Sequence, residues 1–339
     1  MSRHVRLLAA ALLLVWMPAR HASADEPKHK LRIATAAPDD TSWAHAFHQF
    51  ARMVSEGTHG EVEIKFYYGG IAGDEAETHR LMDAGKLDGV VSGGPLCDDV
   101  IPSMRALGIV GLFQSQDEAT YVLNQLRPAI DKEAHASGYL LLTTGSIGPV
   151  IMFTREPITS MAELQKTKLW SWDLNKIFLK EVTELNLSVE KTSIETAQKA
   201  FDTKRIDGYL TTPVAALAFQ WYVGTKYITD LRTGYLMGCF LLRESAVDEL
   251  TPEQQAVVRK AGTKLGIKIE SDNREQDAKL LGGVYASRGL KLVPVSKKFR
   301  AEFFEAARSA RQRLGEALLP RGLYEQVVQL LADYRAEHG

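Results

Sequence analysis

The chain has 339 residues, with 41 Lys and Arg against 42 Asp and Glu and a formal net charge of −1. A balance this close to neutral supplies no basic footprint, so nucleic acid is not an expected partner. Two cysteines are too few for a disulfide framework and form no CxxC motif; Cys97 and Cys239 either pair or stand as two buried free thiols.

Residues 1–24 read as an export signal. Arg3 and Arg6 precede an apolar run, Leu7 to Trp16, too short to span a bilayer, and Ala22-Ser23-Ala24 is a small-x-small cleavage site. The mature chain is expected to begin near Asp25. Three arginines and no acid leave with the signal, so its net charge falls to about −4. Asp25 rather than a cysteine stands directly after the cleavage site, so a lipid anchor is not expected, and no later stretch is apolar for long enough to form an integral membrane segment.

Leu31 to Thr35 reads as a first buried strand. Asp39-Asp40-Thr41-Ser42 then caps a helix with Trp43, Phe47, Phe50 and Val54 on its apolar face. Glu61 to Tyr67 alternates with the period of a half-buried strand, Gly69 to Gly73 forms a loop, and Asp74-Glu75 opens a helix. Ser160-Met161-Ala162-Glu163 is a capping-box pattern before a short helix; a strand from 168 to 172, a helix from about 174 to 185 and a strand near 187–189 follow. Thr251-Pro252-Glu253-Gln254 combines an N-cap, a proline at the first helical position and a capping glutamine. From there helix-compatible sequence runs to Ser287, with Gly262, Gly266 and Gly282-Gly283 as places to bend and Gly289 as a stop. The tail from 296 to 338 is amphipathic, with Leu314, Leu318, Leu323 and Val327 as packing positions. Alternating strands and helices indicate an α/β fold.

Met82-Asp83-Ala84-Gly85-Lys86-Leu87-Asp88-Gly89 recurs as Phe201-Asp202-Thr203-Lys204-Arg205-Ile206-Asp207-Gly208. Each copy closes a helix, turns through Asp-Gly and feeds an apolar strand. Two such units indicate two lobes built on one plan, with the function in the cleft between them.

No GxSxG, HExxH, Walker loop or metal-spaced Cys/His cluster occurs, so neither a catalytic residue, a metal nor a cofactor is expected. His45 and His48 lie on the polar side of their helix, and Asp98-Asp99 read as solvated loop carboxylates. The Gly69–Gly73 loop reads as a tight turn rather than an anion cradle. Trp170 and Trp172 point to the same face of a strand, and with Trp43, Trp221 and the Thr211-Thr212-Pro213 segment they stand where α/β sheets bind ligands. Phe153 and Tyr209 complete the expected lining.

With Tyr68 to Glu75, both Asp-Gly repeats, Pro157-Ile158-Thr159-Ser160 followed by Leu164, Lys168-Leu169 and the long helix from Thr251, the chain resembles the DctP-type substrate-binding subunit of tripartite ATP-independent periplasmic (TRAP) transporters. The resemblance implies a periplasmic receptor with two α/β lobes and crossover strands, closing on a small organic ligand and delivering it to membrane subunits. On that plan residues 25–148 and 213–250 form lobe I, residues 149–212 and 251–339 form lobe II, and the long helix braces both. The family's carboxylate-binding Arg after Lys-Ile is Trp170 here; a second Arg would fall near Pro149, and the Glu-Asn after the second repeat is Leu210-Thr211. A bidentate Arg is the main carboxylate anchor and Trp cannot replace it, so the expected ligand is lipid-like or weakly polar. The rivals are a receptor whose organic acid is held by other polar groups and a secreted enzyme on the same fold. Hinge motion is expected near 148–150 and 211–214.

Overall fold

In the computed structural model, which describes residues 26–314 and 319–338, the two repeats close on the same bonds. Asp88 N–H donates to the Arg32 carbonyl at 2.8 Å, and Asp207 N–H donates to that of Lys168 at 2.7 Å. The Asp88 carboxylate accepts from Arg32 N at 2.9 Å and the Asp207 carboxylate from Lys168 N at 3.0 Å. Each Asp therefore clips its turn to the neighbouring strand. The following glycine is required by close approach, since a Cβ on Gly89 would lie 2.6 Å from the Leu241 carbonyl and one on Gly208 2.3 Å from that of Phe153. The turns match too: Gly85 has φ 68° and Lys204, at the equivalent place, 58°.

The strands are β1 His29–Thr35, β2 Val62–Tyr67, β3 Gly89–Ser92, β4 Tyr139–Thr154, β5 Leu169–Trp172, β6 Val189–Thr192, β7 Gly208–Thr211, β8 Tyr227–Arg243 and β9 Lys291–Val293. They form one sheet in the order β2-β1-β3-β8-β4-β7-β5-β6, with β9 beside β8. The long strands β4 and β8 pair antiparallel from Tyr139–Arg243 to Thr154–Tyr227, with register shifts between Leu141 and Thr143, Ser146 and Gly148, and Val150 and Met152. At one end the sheet carries β3, β1 and β2; at the other it carries β7, β5 and β6. These are the two lobes, and β4 and β8 run through both.

Alternation along the crossing strands fills cores on both faces of each lobe. Cys239 and Leu241 enter one first-lobe cluster with Met82, Val90 and Leu126, while Phe240 and Leu242 enter the other with Phe47, Phe50 and Ile33. In the second lobe Ile151 and Phe153 join Phe201, Tyr209 and Trp221, while Met152 joins Leu169, Phe299 and Phe303. The lobe boundaries drawn from sequence differ from this packing. Val214, Ala216 and Ile228 pack with the second lobe, and Val258, Ala261 and Leu265 of the long helix pack with the first. The physical reason is that the chain changes lobe inside continuous strands, where no turn residue marks the change.

The long helix spans Pro252–Lys279, with the Thr251–Gln254 capping box formed at its start. It continues through a π-helical turn at Leu280–Val284, where Gly283 has φ 154°, and ends at Ser287 before Gly289. The bend thus falls at Gly282-Gly283. Gly262 and Gly266 serve instead for close packing on β4, because a Cβ there would lie 2.3 Å from Leu142 and 2.1 Å from Thr143. Ser160 caps the helix Met161–Lys166, and Glu163 reaches back to the Thr159 N–H at 2.7 Å. Leu314, Leu323 and Val327 pack on the first lobe. Leu318 and the export signal lie outside the described residues.

Candidate functional site: the interlobe cleft

A cavity of about 250 Å³ lies between the lobes, lined by residues of both and by the crossing strands. Five of the expected residues meet there: Trp43, Trp170, Trp172, Thr211 and Trp221. The indole N–H of Trp170 is satisfied by the carbonyl and hydroxyl of Thr192, both at 3.2 Å, so its polar partner lies in the neighbouring strand. Trp221 stands with its ring centroid 4.8 Å from Trp170 and stacks on Phe219 and Tyr209. Phe219 in turn faces Trp43. One aromatic wall therefore spans from the first lobe into the second.

Four expected residues lie outside the lining. Phe153 and Tyr209 are fully buried in the second-lobe core, Phe153 edge-on to Tyr285 and Tyr209 stacked on Phe201. They share a sheet face with Trp170 and Thr211 but are covered by other rings, Tyr209 by Trp221 and Phe201 and Phe153 by Tyr285. Thr212 is consumed as an N-cap, accepting from the Ala215 N–H at 3.2 Å, and the Pro213 carbonyl accepts from the Tyr285 hydroxyl at 2.5 Å.

The structure adds Asp98 and Arg105 to the lining. Asp98 was expected as a solvated loop carboxylate. It faces the cleft instead because its helix, Pro95–Val100, is bound on both sides. The Cys97–Cys239 disulfide ties that helix to β8, and buried Glu75 accepts from the N–H groups of Gly93 at 3.0 Å and Leu96 at 2.8 Å and from the Ser92 hydroxyl. Burial raises the Glu75 carboxyl despite those bonds. Burial pushes Asp98 up to about 7; Arg105 opposes the rise, and Glu75 and Asp99 add to it. Arg105 is the one cation among the described lining residues, on the 3₁₀ helix Pro102–Gly108, with its Nε–H on the Asp98 backbone carbonyl at 2.9 Å. That 3₁₀ helix has no period that sequence reasoning could follow. Trp172 Nε1 and Ser146 Oγ, also in the wall, are buried with no partner among the described residues, so both can serve a ligand.

The long helix is bonded to the segments where the chain crosses between lobes. Asn273 and Asp277, one turn apart on the long helix, reach both crossover segments: Asn273 donates to the Ser146 carbonyl at 3.3 Å, and Asp277 accepts from the Val214 N–H at 3.1 Å. Asn273 also accepts from the Trp43 indole at 2.9 Å, which couples a cleft residue to the brace. A Cβ on Gly148, at φ 141°, would lie 2.4 Å from the Asp277 carboxylate. Across the cleft mouth, Lys176 pairs with Asp99 at 3.0 Å. Beside it Ile177 packs on the first lobe and Phe178 on the second.

Other groups take no part. His48 pairs with Asp39 at 2.9 Å, and the Gly69 and Gly70 N–H groups donate to Ala37 and Thr35 carbonyls, so that loop offers no anion cradle. Among the described residues, no group of three or more His, Cys, Asp or Glu is placed to hold a metal, and no helix is long and apolar enough to cross a membrane.

Comparison with known proteins agrees with this architecture. A solute-binding protein of Chromohalobacter salexigens is 22% identical over 262 residues, covering 75% of each chain. A TRAP periplasmic solute-binding protein of Haemophilus influenzae with bound L-gulonate superposes with a TM-score of 0.82 at 17% identity, covering 90% of this chain and 99% of that one. One of Desulfovibrio desulfuricans with bound sn-glycerol-3-phosphate gives 0.82 at 15% identity, covering 90% and 97%. The family model for bacterial extracellular solute-binding proteins, family 7 (DctP), matches residues 33–317, and the chain belongs to that family.

Proposed function

We propose that the chain is the periplasmic receptor of a TRAP-type transporter, and that it encloses a small organic ligand whose larger part is apolar. The observation that carries this reading is the wall running through Trp43, Phe219, Trp221 and Trp170 across both lobes. Tryptophan at position 170 puts an indole where a guanidinium would hold a carboxylate. Aromatic faces bind apolar and flat groups, and the free Trp172 N–H adds one directed hydrogen bond. The receptor performs no bond chemistry; its work is closure over the ligand and presentation to membrane subunits. L-gulonate and sn-glycerol-3-phosphate, held by the two relatives, are small polar anions. Arg105 is the observation that favours the second reading, an organic acid held by a different group.

Titration of tryptophan fluorescence with organic acids and apolar ligands tests the proposal. Quenching or blue shift on adding the apolar compounds, lost in Trp170→Ala, is the expected result. Tight binding of succinate that survives Trp170→Ala overturns the apolar-ligand reading. Co-purification of the exported protein with TRAP membrane subunits checks the assignment of partner.

A further inference from the structure

We infer that the polar end of the ligand is zwitterionic, with a carboxylate received by Arg105 and an ammonium by Asp98, so that the cleft takes an amino acid with an apolar side chain. The inference rests on the reading of the cleft as a ligand site. The two residues sit on successive short helices, Pro95–Val100 and Pro102–Gly108, and both line the cavity. They are neighbours, since Arg105 Nε donates to the Asp98 carbonyl at 2.9 Å. That bond uses the backbone of Asp98 and leaves its carboxylate free. Among the described residues no ion pair joins the two side chains, and neither the Asp98 carboxylate nor the outer guanidinium nitrogens have a hydrogen-bond partner within the chain.

This differs from the arginines that reach into the fold elsewhere. Arg32 and Arg243 hold Asp88, and Arg335 holds Glu118. Removing a charge from water is unfavourable unless it is paired, and adjacent opposite charges normally collapse onto each other. Here the scaffold holds them apart. The disulfide at Cys97 and the three Glu75 bonds fix the Asp98 helix. The cavity is thus offered an unpaired cation beside an unpaired carboxyl, which burial lifts to about 7 and a ligand ammonium would hold ionised. A simple monoanion answers Arg105 but stands against the Asp98 carboxylate, and like charges at that range repel. A carboxylate with an ammonium on the adjacent carbon answers both groups, and the aromatic wall takes the side chain.

Calorimetric titration with L-leucine, L-phenylalanine and L-tryptophan tests this, alongside the deaminated, hydroxylated and decarboxylated analogues of phenylalanine: 3-phenylpropionate, 3-phenyllactate and phenethylamine. At least one of the amino acids is expected to bind, and its analogues to bind on the order of tenfold or more weakly, because each leaves one charge unanswered. Asp98→Asn should erase the preference for phenylalanine over 3-phenylpropionate. Arg105→Gln should weaken both acids and spare phenethylamine, a split that general destabilisation does not produce. An analogue that matches its amino acid, or failure of all three amino acids to bind, overturns the inference. Mass spectrometry of the molecule retained by protein purified without refolding separates this from the receptor reading. A retained ligand lacking an ammonium–carboxylate pair overturns only the zwitterion. No retained molecule, with no response to any compound, overturns the receptor as well.

Discussion

Asp88 and Asp207 stand at equivalent turns of the two repeats but carry different loads. Asp88 is 4% exposed and accepts from Arg32 and Arg243 as well as from a backbone N–H, whereas among the described residues the Asp207 carboxylate accepts from the Lys168 N–H alone. Asp88→Asn is expected to destabilise by about 2–3 kcal/mol, below the range for a fully buried pair because both arginines keep solvent contact. Asp207→Asn should lose about 1 kcal/mol. Urea unfolding of the two variants checks the difference; equal losses would show that the arginines contribute nothing. Asp277 gives a pH signature. Burial raises its carboxyl to about 7, against the Val214 N–H and Arg232, which lower it. The folded form therefore holds a proton that the unfolded chain releases at ordinary carboxylate pH, so stability from this site is complete at low pH and is lost as pH rises toward 7. Asp277→Asn keeps an acceptor for Val214 without the charge. Its melting temperature should exceed that of the parent at pH 8 and match it near pH 4.

At the scale of elements, the Pro95–Val100 helix is the part of the cleft wall held by a covalent bond. Cys97 and Cys239 are 142 residues apart, so the disulfide closes a long loop that includes β4 and the second-lobe strands β5, β6 and β7. Replacing both with Ser should lower stability by about 2–4 kcal/mol, read as a fall in melting temperature. The same variant should weaken ligand binding, because Asp98 adjoins Cys97. Full retention of affinity would show that Glu75 alone positions the wall. Several elements were readable in advance because their signals are local. The Thr251 capping box, the stop at Gly289 and the alternation of Val62, Ile64 and Phe66 each depend on residues within a few positions. The family resemblance pointed to crossover segments near 148–150 and 211–214, but the point where β8 changes lobe was not readable, since nothing local distinguishes its half in one lobe from its half in the other.

For the whole molecule, the mouth of the cleft is bridged by the exposed Lys176–Asp99 pair and, beneath it, by Glu181, whose buried carboxyl accepts from the Val110 N–H at 3.0 Å. Exposed pairs contribute little, about 0.2–1 kcal/mol. Lys176→Ala should therefore speed ligand release by no more than about fivefold in stopped-flow fluorescence, mainly through the dissociation rate. High salt should reproduce the effect in the parent and leave the variant unchanged. A larger loss would mean that Lys176 touches the ligand itself.

Of the candidate site, the tryptophans were legible because two of them share a strand face and a third begins the helix after the first strand. Phe153 and Tyr209 were misplaced because alternation says which residues share a face, not which of them other side chains cover: both lie on the face of Trp170, beneath Trp221 and Tyr285. Arg105 and Asp98 gave no usable signal, since an irregular 3₁₀ segment and an acidic pair look alike whether they face solvent or a cavity. The sequence by itself determined the elements, the repeat and the family, because caps, turns and periodicity act over a few residues. Only the tertiary structure decided where the lobes meet, that Cys97 and Cys239 pair, and that a cation and an anion share the cleft. Those facts depend on contacts between segments more than a hundred residues apart, which no local pattern records.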